Sequence, residues 1–432
     1  MIWRWLLVRK VSIPFAVLVD LFLFPIIACI AIVSSLTRKS EKLKKRPRIV
    51  WGSTPIVNNA YWSRAMKTAG YSSTTYMFNC YGINKRSDFD RVLLDEYRWC
   101  PLVLRPYLAF IVTLVSYDVV VTSFSGFMLV TPFLRRIQGS LFRLAGIKTV
   151  VMPFGSDAYV YSRIRSTGTI QGLLFSYPQA AREQKRISRN VEYWCSKADV
   201  VVAGVMGPDG LGRWDVPTPS ALSIDTSQWQ VTARKSTADG SDSPVIVAHA
   251  PNHRGFKGTE FVMDAIRQLQ SEGLLVELRL LEGLPNKEVR RVLGNEIDVL
   301  VEQLIFTGHG MNGLEGMASG LPVICNLEDD QYLLPFRRWS FFGECPLVSG
   351  SPESLQDVLR TLITQPTLRH ELGALGRQYV EKYHGLDSSQ YLFSNVIDYL
   401  YGRRESISDL YHPLTSQFNR RLPTIVPPLD KN

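Results

Sequence analysis

Two cations three positions apart stand in a short turn between a predicted strand and a predicted helix. Residues 249–261 read HAPNHRGFKGTEF, so Arg254 and Lys257 come just before a stretch whose apolar residues repeat at helical spacing. Two cations beside the free N–H groups of a helix start form a receptor for a diphosphate. The alternative is a solvated basic turn without a ligand. Because strand, turn and helix follow in register, we expect the diphosphate receptor.

A second segment combines glycines with a helix start. Residues 307–324 read TGHGMNGLEGMASGLPVI, and we expect the helix to begin near Met311. The glycines would let the backbone pass close to a ligand, and phosphate at the helix start gains from the helix dipole. Glu315 follows one turn later, where a carboxylate accepts hydrogen bonds from two ribose hydroxyls. The residues predicted to contact phosphate in this loop are Gly310, Met311, Asn312 and Gly313.

Most of residues 245–330 resembles the GT-B fold glycosyltransferases of the retaining family 4 kind. The resemblance runs through HAPNHRGFKGT, LRLLEGLPNKEV, DVLVEQL and GMNGLEGMASGLPVI, with a weaker similarity over residues 50–230. It implies that Arg254 and Lys257 hold the pyrophosphate of a nucleotide-sugar donor and that Glu315 binds the ribose. It also implies a reaction that retains the anomeric configuration, with no metal and no cofactor beyond the donor.

One departure from the family pattern concerns the donor sugar. The family's EX7E signature would place its first Glu at position 307, where this chain has Thr307. Relatives with a DQL triplet and an aromatic-Gly pair look similar, and Glu302–Gln303–Leu304 and His309–Gly310 match those places. The resemblance therefore makes His309 a candidate catalytic residue at the donor sugar or phosphate. The alternative is that His309 packs within the loop.

The first half of the chain offers candidates for the facing wall of the cleft. Residues 153–159, PFGSDAY, resemble the family's loop beside the acceptor, although the family's His is missing before the Gly. Asp157 is accordingly a candidate catalytic residue or, alternatively, the N-cap of a following helix. Gly52, Ser53 and Asn58 match the position of the family's first Gly-rich loop and are assigned to the N-domain cleft.

Valine-rich runs alternate with helical stretches on both sides of a polar joint at residues 232–244. Such runs indicate parallel strands covered on both faces. The predicted fold is α/β, of the GT-B type, with two Rossmann-like doubly wound domains facing a cleft and an N-terminal membrane-associated helix or hairpin. The predicted parts are a membrane segment and basic flank at 1–46, an acceptor domain at 47–231, a nucleotide-sugar domain at 245–385, and a crossover helix and tail at 386–432.

An apolar stretch at residues 13–35 has the length of a membrane-spanning helix. Asp20 and Pro25 disturb a simple span, because a charge in the bilayer is costly and proline removes a helix hydrogen bond. The sequence leaves open a tilted span, a kinked re-entrant hairpin and an interfacial helix. A buried hairpin in a soluble protein is a further alternative.

Positive charge is concentrated beside this apolar stretch. Residues 1–48 carry +8 of the formal net charge of +10, so the rest of the chain has no basic surface typical of a nucleic-acid binder. The basic cluster at residues 38–48 is larger than the basic group before the apolar stretch. Since positive flanks stay in the cytoplasm, this predicts that the residues after the stretch lie on the cytoplasmic face of the inner (plasma) membrane. Six cysteines without CxxC spacing fit a reducing compartment.

These features together predict a hexosyltransferase-type glycosyltransferase that uses a nucleotide-sugar. Membrane attachment favours a lipid-linked saccharide acceptor, as in bacterial cell-surface polysaccharide or lipopolysaccharide biosynthesis. Two alternatives remain: a UDP-sugar 2-epimerase-like enzyme, which shares the fold, and a non-catalytic GT-B scaffold at the membrane. The sugar, the nucleotide base and the acceptor stay open.

Overall fold

The computed structural model describes residues 9–39, 46–81, 84–131, 133–205, 208–231 and 236–429. These residues form two α/β domains, each built on a parallel sheet. The predicted fold class, two Rossmann-like domains of the GT-B type, is confirmed. The predictions about charge at residues 1–8 and 40–45, and about the joint at residues 232–235, lie outside the described residues.

The first sheet has seven strands. They are β1 Ile49–Trp51, β2 Ser73–Met77, β3 Arg91–Val92, β4 Val119–Ser123, β5 Lys148–Met152, β6 Val200–Ala203 and β7 Val216–Pro217, in the order β3-β2-β1-β4-β5-β6-β7. Val50 at the centre of the sheet pairs with Thr74 and Val120. The helices of this domain are α1 Arg9–Lys39, α2 Val57–Thr68, α3 Arg105–Ser116, α4 Gln138–Leu144, α5 Thr167–Ser176, α6 Pro178–Arg182 and α7 Gln184–Lys197.

The second sheet has five strands. They are β8 Val245–His249, β9 Val276–Leu280, β10 Val299–Gln303, β11 Val323–Cys325 and β12 Val348–Ser349, in the order β12-β11-β10-β8-β9. Val247 pairs with Leu278 and Val299. The helices that follow are α8 Arg254–Lys257, α9 Thr259–Ser271, α10 Asn286–Asn295, α11 Met311–Ala318, α12 Asp330–Trp339, α13 Leu355–Thr364, α14 Pro366–Tyr383 and α15 Leu386–Leu400.

The N-terminal apolar stretch forms one helix, α1, which continues through Pro25. The two hairpin alternatives are therefore wrong. The helix packs against α3 and α4 of the first domain. Asp20, Ile27, Ala31 and Ser34 form its buried stripe, with the spacing of one helix face.

Two helix–helix contacts are the most extensive of the contacts between the two domains. Helix α15 crosses back from the second domain and packs on α2 of the first. There the ring of Phe393 lies 4.7 Å from Trp51 and 5.7 Å from Trp62, centroid to centroid. Helix α5 of the first domain packs on the short helix α8 of the second. The second contact adjoins the turn in which the sequence predicts a diphosphate receptor.

Candidate active site

Each sheet reverses the direction of its strand order at one point, and the predicted site loops lie at these points. Strand β1 lies between β2 and β4, and strand β8 lies between β9 and β10. Ligands of open parallel sheets bind beyond the carboxyl ends of the strands at such switch points. Residues 52–58 follow β1, residues 250–257 follow β8 and residues 304–313 follow β10. The topology thus brings the predicted loops to the edges at which ligand sites form.

Helix α11 begins at Met311, with Gly310 as its N-cap. The N–H groups of Met311, Asn312 and Gly313 belong to the first turn, which has no acceptors inside the helix. The side chain of Asn312 donates to the carbonyl of Ala250 at 3.4 Å and so joins this helix start to the loop after β8. The arrangement is that of an anion site at a helix N-terminus.

Lys257 lies beneath this loop and not at its surface. Its ammonium group donates to Glu302 Oε1 and Gln303 Oε1, both at 2.8 Å. The side chains of Lys257 and Glu302 are 9% and 0% exposed. Glu302 Oε1 also accepts the N–H of Gly310 at 2.9 Å. These two bonds use two of the three N–H donors of the ammonium group, and the contact of Lys257 with a pyrophosphate stays a prediction.

The glycines of the loop make room for a protein carboxylate. A Cβ on Gly313 would lie 2.8 Å from Glu302 Oε2, and one on Gly310 would lie 3.0 Å from Glu302 Oε1. The Glu302 carboxylate occupies the space beside these two glycines. Contact of the loop with phosphate stays a prediction.

Arg254 is the first residue of α8 and is paired with carboxylates. It donates to the two carboxylate oxygens of Glu282 at 2.8 and 2.6 Å, and its side chain is 43% exposed. Glu260 lies 3.5 Å away. An exposed pair of this kind contributes little to stability and exchanges readily for another anion. Arg254 is therefore the accessible cation of the predicted pair, whereas Lys257 is enclosed.

Glu315 lies in α11, half-buried, beside residues of two other elements. Asn286 at the start of α10 donates to Glu315 Oε1 at 3.0 Å. Burial raises the pKa of Glu315 to about 7, and nearby Arg290 acts in the opposite direction. Tyr61 of α2 is close enough to this carboxylate to be affected by its charge: burial, and then the charge of Glu315, raise the pKa of Tyr61 to about 12. The predicted ribose-binding residue therefore lies where the two domains meet.

Nucleotide binding should strengthen as the pH rises through about 7. The Glu315 carboxyl, with its pKa near 7, is mostly protonated at pH 6 and mostly ionised at pH 8, and the ionised form is the better acceptor for ribose hydroxyls. We expect about tenfold higher affinity for a nucleotide-sugar at pH 8 than at pH 6 by calorimetric titration, because its doubly esterified diphosphate does not titrate in this range. Glu315→Gln, uncharged at both values, should lose this dependence, and an unchanged slope in that variant would contradict the assigned role.

In the first domain, Asn58 reaches the helix start of the second. Its Nδ2 donates to the sulfur of Met311 at 2.9 Å, and its Oδ1 accepts the N–H of Ser223 at 2.7 Å. Gly52 and Ser53 follow β1 but are bound within their own domain. A Cβ on Gly52 would lie 2.1 Å from the carbonyl oxygen of Tyr76, and Ser53 Oγ accepts the N–H of Met128 at 3.4 Å. We call residues 304–313 the donor loop after their predicted role. Of these three residues, Asn58 is the one that the structure brings to this loop.

Asp157 connects the loops that follow two neighbouring strands. Its carboxylate accepts the N–H of Phe124 at 2.9 Å, after β4, and that of Phe154 at 3.0 Å, after β5. Burial raises its pKa to about 7. The N-cap alternative is wrong, because the described residues 158–166 form turns and a short 3-10 turn at Tyr161–Arg163 instead of an α-helix. The contacts support a role in shaping the cleft wall.

Replacing Asp157 by asparagine should lower the free energy of unfolding by about 1–3 kcal/mol. In the variant, an NH2 group replaces one of the two carboxylate oxygens. An NH2 group cannot accept a hydrogen bond, so the N–H of Phe124 or of Phe154 loses its acceptor. Urea unfolding of the full chain measures the change, and Asp239→Asn, at an exposed loop position, is the control that should change little. Normal stability with lost sugar transfer would instead support the catalytic role predicted for Asp157.

His309 is enclosed in the second domain. Its side chain is 0% exposed, and its ring stacks on Phe342 with a centroid distance of 6.2 Å and an interplanar angle of 4°. The ring of His384 meets it edge-on at 5.6 Å. Burial, followed by the neighbouring His309, lowers the pKa of His384 to about 3, so that ring is neutral. These contacts favour the packing alternative over contact with a substrate.

The structure adds three residues that the sequence reasoning did not assign to the site. Glu302 fills the inner side of the donor loop, Glu282 pairs with Arg254, and Asn286 positions Glu315. The sequence pattern that could have identified two of them is a polar residue at the carboxyl end of a strand, because Glu302 and Glu282 lie at or just after strand ends. Among the described residues, no three His, Cys, Asp or Glu side chains are grouped so as to hold a metal ion.

Two parallel sheets and a helix that crosses back to the first domain define a two-domain protein of the GT-B type. Two solved structures align with most of the chain. The wall teichoic acid polymerase TagF aligns with a TM-score of 0.39 and 11% identity, over 92% of this chain and 100% of its own. Arabidopsis thaliana UGT89C1, complexed with quercetin, aligns with a TM-score of 0.42 and 10% identity, over 83% and 100%. No protein-family model matches the chain, and the search of curated proteins found no match.

Proposed function

We propose that the protein is a glycosyltransferase that moves a sugar from a nucleotide-sugar to an acceptor. The observation that supports the proposal is that the loops at residues 250–257 and 304–313 follow the neighbouring strands β8 and β10 and are joined by the hydrogen bond from Asn312 to the carbonyl of Ala250. A cation and a helix N-terminus suit a diphosphate, and a carboxylate one turn later suits a ribose. We assign residues 245–385 to the donor and residues 47–231 to the acceptor.

In the proposed reaction, the bond between the anomeric carbon and the donor phosphate oxygen breaks, and a bond to the acceptor oxygen forms on the same face of the sugar. The proton of the acceptor hydroxyl passes to the departing phosphate. Arg254 and the N–H groups at the start of α11 stabilise the charge on that phosphate. The reaction retains configuration and needs no metal. NMR of the anomeric proton in the product tests it, and an inverted product would exclude it.

We propose a lipid-linked saccharide as the acceptor and the cytoplasmic face of the plasma membrane as the site of action. The support is the apolar helix α1, in which Ala16–Arg38 is long and apolar enough to cross a membrane. A protein held at a bilayer meets substrates that cannot diffuse into solution. This setting suits the assembly of a cell-surface polysaccharide or lipopolysaccharide.

The donor assignment is tested by thermal unfolding with a panel of nucleotide-sugars. A ligand at one hundred times its Kd stabilises the folded state by roughly 2.7 kcal/mol, which raises the Tm by several degrees. We expect such a shift with one nucleotide base and its sugars. Absence of any shift across the panel would contradict the proposal.

Incubation of the protein with the stabilising donor alone separates the two enzymatic interpretations. A glycosyltransferase leaves the sugar of the donor unchanged until an acceptor is added. An epimerase inverts a carbon of the sugar without an acceptor, and NMR of the donor detects that change directly.

A further inference from the structure

The outward face of α1 is apolar along its described length. The outer face, as we define it, consists of Leu18, Leu21, Phe22, Ile26, Val33 and Leu36, which are 64, 52, 73, 45, 61 and 61% exposed. Large apolar side chains in one contiguous row are rarely left to water and mark a surface that binds something. Their opposite face is the buried stripe that packs on the first domain.

The acidic residue of this helix faces the protein. Asp20 is 0% exposed, and its Oδ1 accepts the hydroxyl of Tyr107 at 2.7 Å. Its Oδ2 accepts the N–H groups of Phe133 and Leu134 at 3.1 and 3.2 Å. The carboxylate is thereby satisfied by the first domain, and it makes no polar interruption in the outer face.

A second polar anchor lies near the other end of α1. Arg38 donates to the carbonyl oxygens of Leu114, Tyr117 and Ala145, each at 2.6 Å, and to Asp118 at 3.3 Å. Asp20 and Arg38 are 18 positions apart, which corresponds to about 27 Å of helix. The helix is therefore attached to the folded domain along most of its length and not only at one end.

This attachment bears on how the helix meets a bilayer. If α1 crossed the membrane, α3, α4 and the segment Leu134–Arg136 that Asp20 contacts would lie at hydrocarbon depth, and with them the exposed side chain of Arg136. A charged side chain that faces lipid at that depth is costly. A helix in the plane of the surface needs to bury only one face, to a depth of about 5–10 Å.

Charge at the end of α1 suits an anionic surface. Residues 39–45 contain Lys39, Lys42, Lys44 and Lys45 against Glu41. Each basic residue at the membrane surface contributes attraction to anionic lipid. We propose that α1 docks in the plane of an anionic bilayer surface through its outer face and does not span the bilayer. This inference rests on the membrane association in the proposed function and selects one of the arrangements that the sequence left open.

Vesicle flotation of the full chain tests the docking surface. We expect binding to vesicles of phosphatidylcholine with 30% phosphatidylglycerol, and at least tenfold weaker binding after Leu21→Glu plus Phe22→Glu, which places charge in the outer face. Leu414→Glu plus Leu422→Glu is the matched control, because these side chains are 73 and 85% exposed in the C-terminal segment. An equal loss of vesicle binding in the two double variants, or no flotation of the unmodified chain, would overturn the proposal.

Sidedness separates docking in the plane from spanning. In a Cys29→Ser plus Cys80→Ser background, which removes the two free thiols that are not buried, Lys10→Cys reports the start of α1 and Leu422→Cys reports the body, after labelling of cell membranes with an impermeant maleimide. In-plane docking predicts that both positions are labelled in inside-out vesicles and both are protected in right-side-out vesicles. Labelling of the two positions in opposite preparations would show a span. The nucleotide-sugar thermal shift of each variant verifies folding, and it tests the proposed donor independently of the membrane.

Discussion

Replacing Lys257 by methionine should both destabilise the protein and abolish donor binding. The variant leaves the Glu302 carboxylate buried without its cation, and breaking one side of a buried ion pair costs about 3–5 kcal/mol. The same uncompensated charge lies at the start of α11, where it repels a diphosphate. Urea unfolding measures the first effect, and calorimetric titration with a nucleoside diphosphate measures the second.

A double variant separates the structural effect from the binding effect. Lys257→Met combined with Glu302→Gln removes both charges while the amide oxygen still accepts the N–H of Gly310, so stability should largely return. Donor affinity should stay at least tenfold below that of the unmodified protein, because the third N–H of the ammonium group is missing. Full affinity in the double variant would show that Lys257 only compensates Glu302.

A second buried lysine provides the control for this experiment. Lys382 is also enclosed and donates to Glu344 Oε2 at 2.8 Å and to the carbonyl of Pro423 at 3.0 Å. Lys382→Met should lower stability, although less than Lys257→Met because the Glu344 side chain is 22% exposed, and should leave donor affinity unchanged in the folded protein. Loss of donor affinity in this variant would mean that general destabilisation, and not a contact of Lys257 with the donor, explains the weaker binding of Lys257→Met.

Replacing Arg254 by alanine should reduce sugar transfer by about 10²–10³-fold with little change in the Tm. Removing one group that stabilises the developing charge of a transition state has an effect of this size, whereas the loss of an exposed ion pair hardly affects stability. Initial rates and the Tm of the same preparation measure both quantities. Arg254→Lys should recover only part of the rate, because lysine cannot bind phosphate through two parallel N–H groups.

The matched control for Arg254 is Arg291 on α10. It forms similar exposed ion pairs with Glu288 and Glu296 in the same domain, and it is not assigned to donor binding. Arg291→Ala should keep the full rate. A rate loss equal to that of Arg254→Ala would indicate a general effect of positive charge in this domain.

The fold follows from the sequence because its signals are local. Valine runs such as residues 119–121 and 200–202 mark buried parallel strands, and the helix start at Met311 follows from the glycines before it. The apolar length of residues 13–35 likewise predicts a helix. These features depend on neighbours within a few positions, so a single chain contains the information.

The state of the site residues depends on partners far away in the chain, and the sequence does not contain that information in readable form. Lys257 and Glu302 are 45 positions apart, and nothing in either segment shows that they form a buried pair. Asp20 in an apolar helix suggests a costly charge until Tyr107, 87 positions later, supplies its partner. The orientation of the His309 ring toward Phe342 is hidden for the same reason.

The central claim is that Arg254 and the start of α11 hold one nucleotide-sugar from which a sugar is transferred. The most direct test follows radiolabelled sugar from the donor that raises the Tm into a membrane lipid extract. The account predicts label in the lipid fraction, matched by an equal amount of nucleoside diphosphate released, and at least 100-fold less of both with Arg254→Ala. The contradicting result is label that stays on the water-soluble nucleotide, although the unmodified protein binds that donor and acceptor lipid is present.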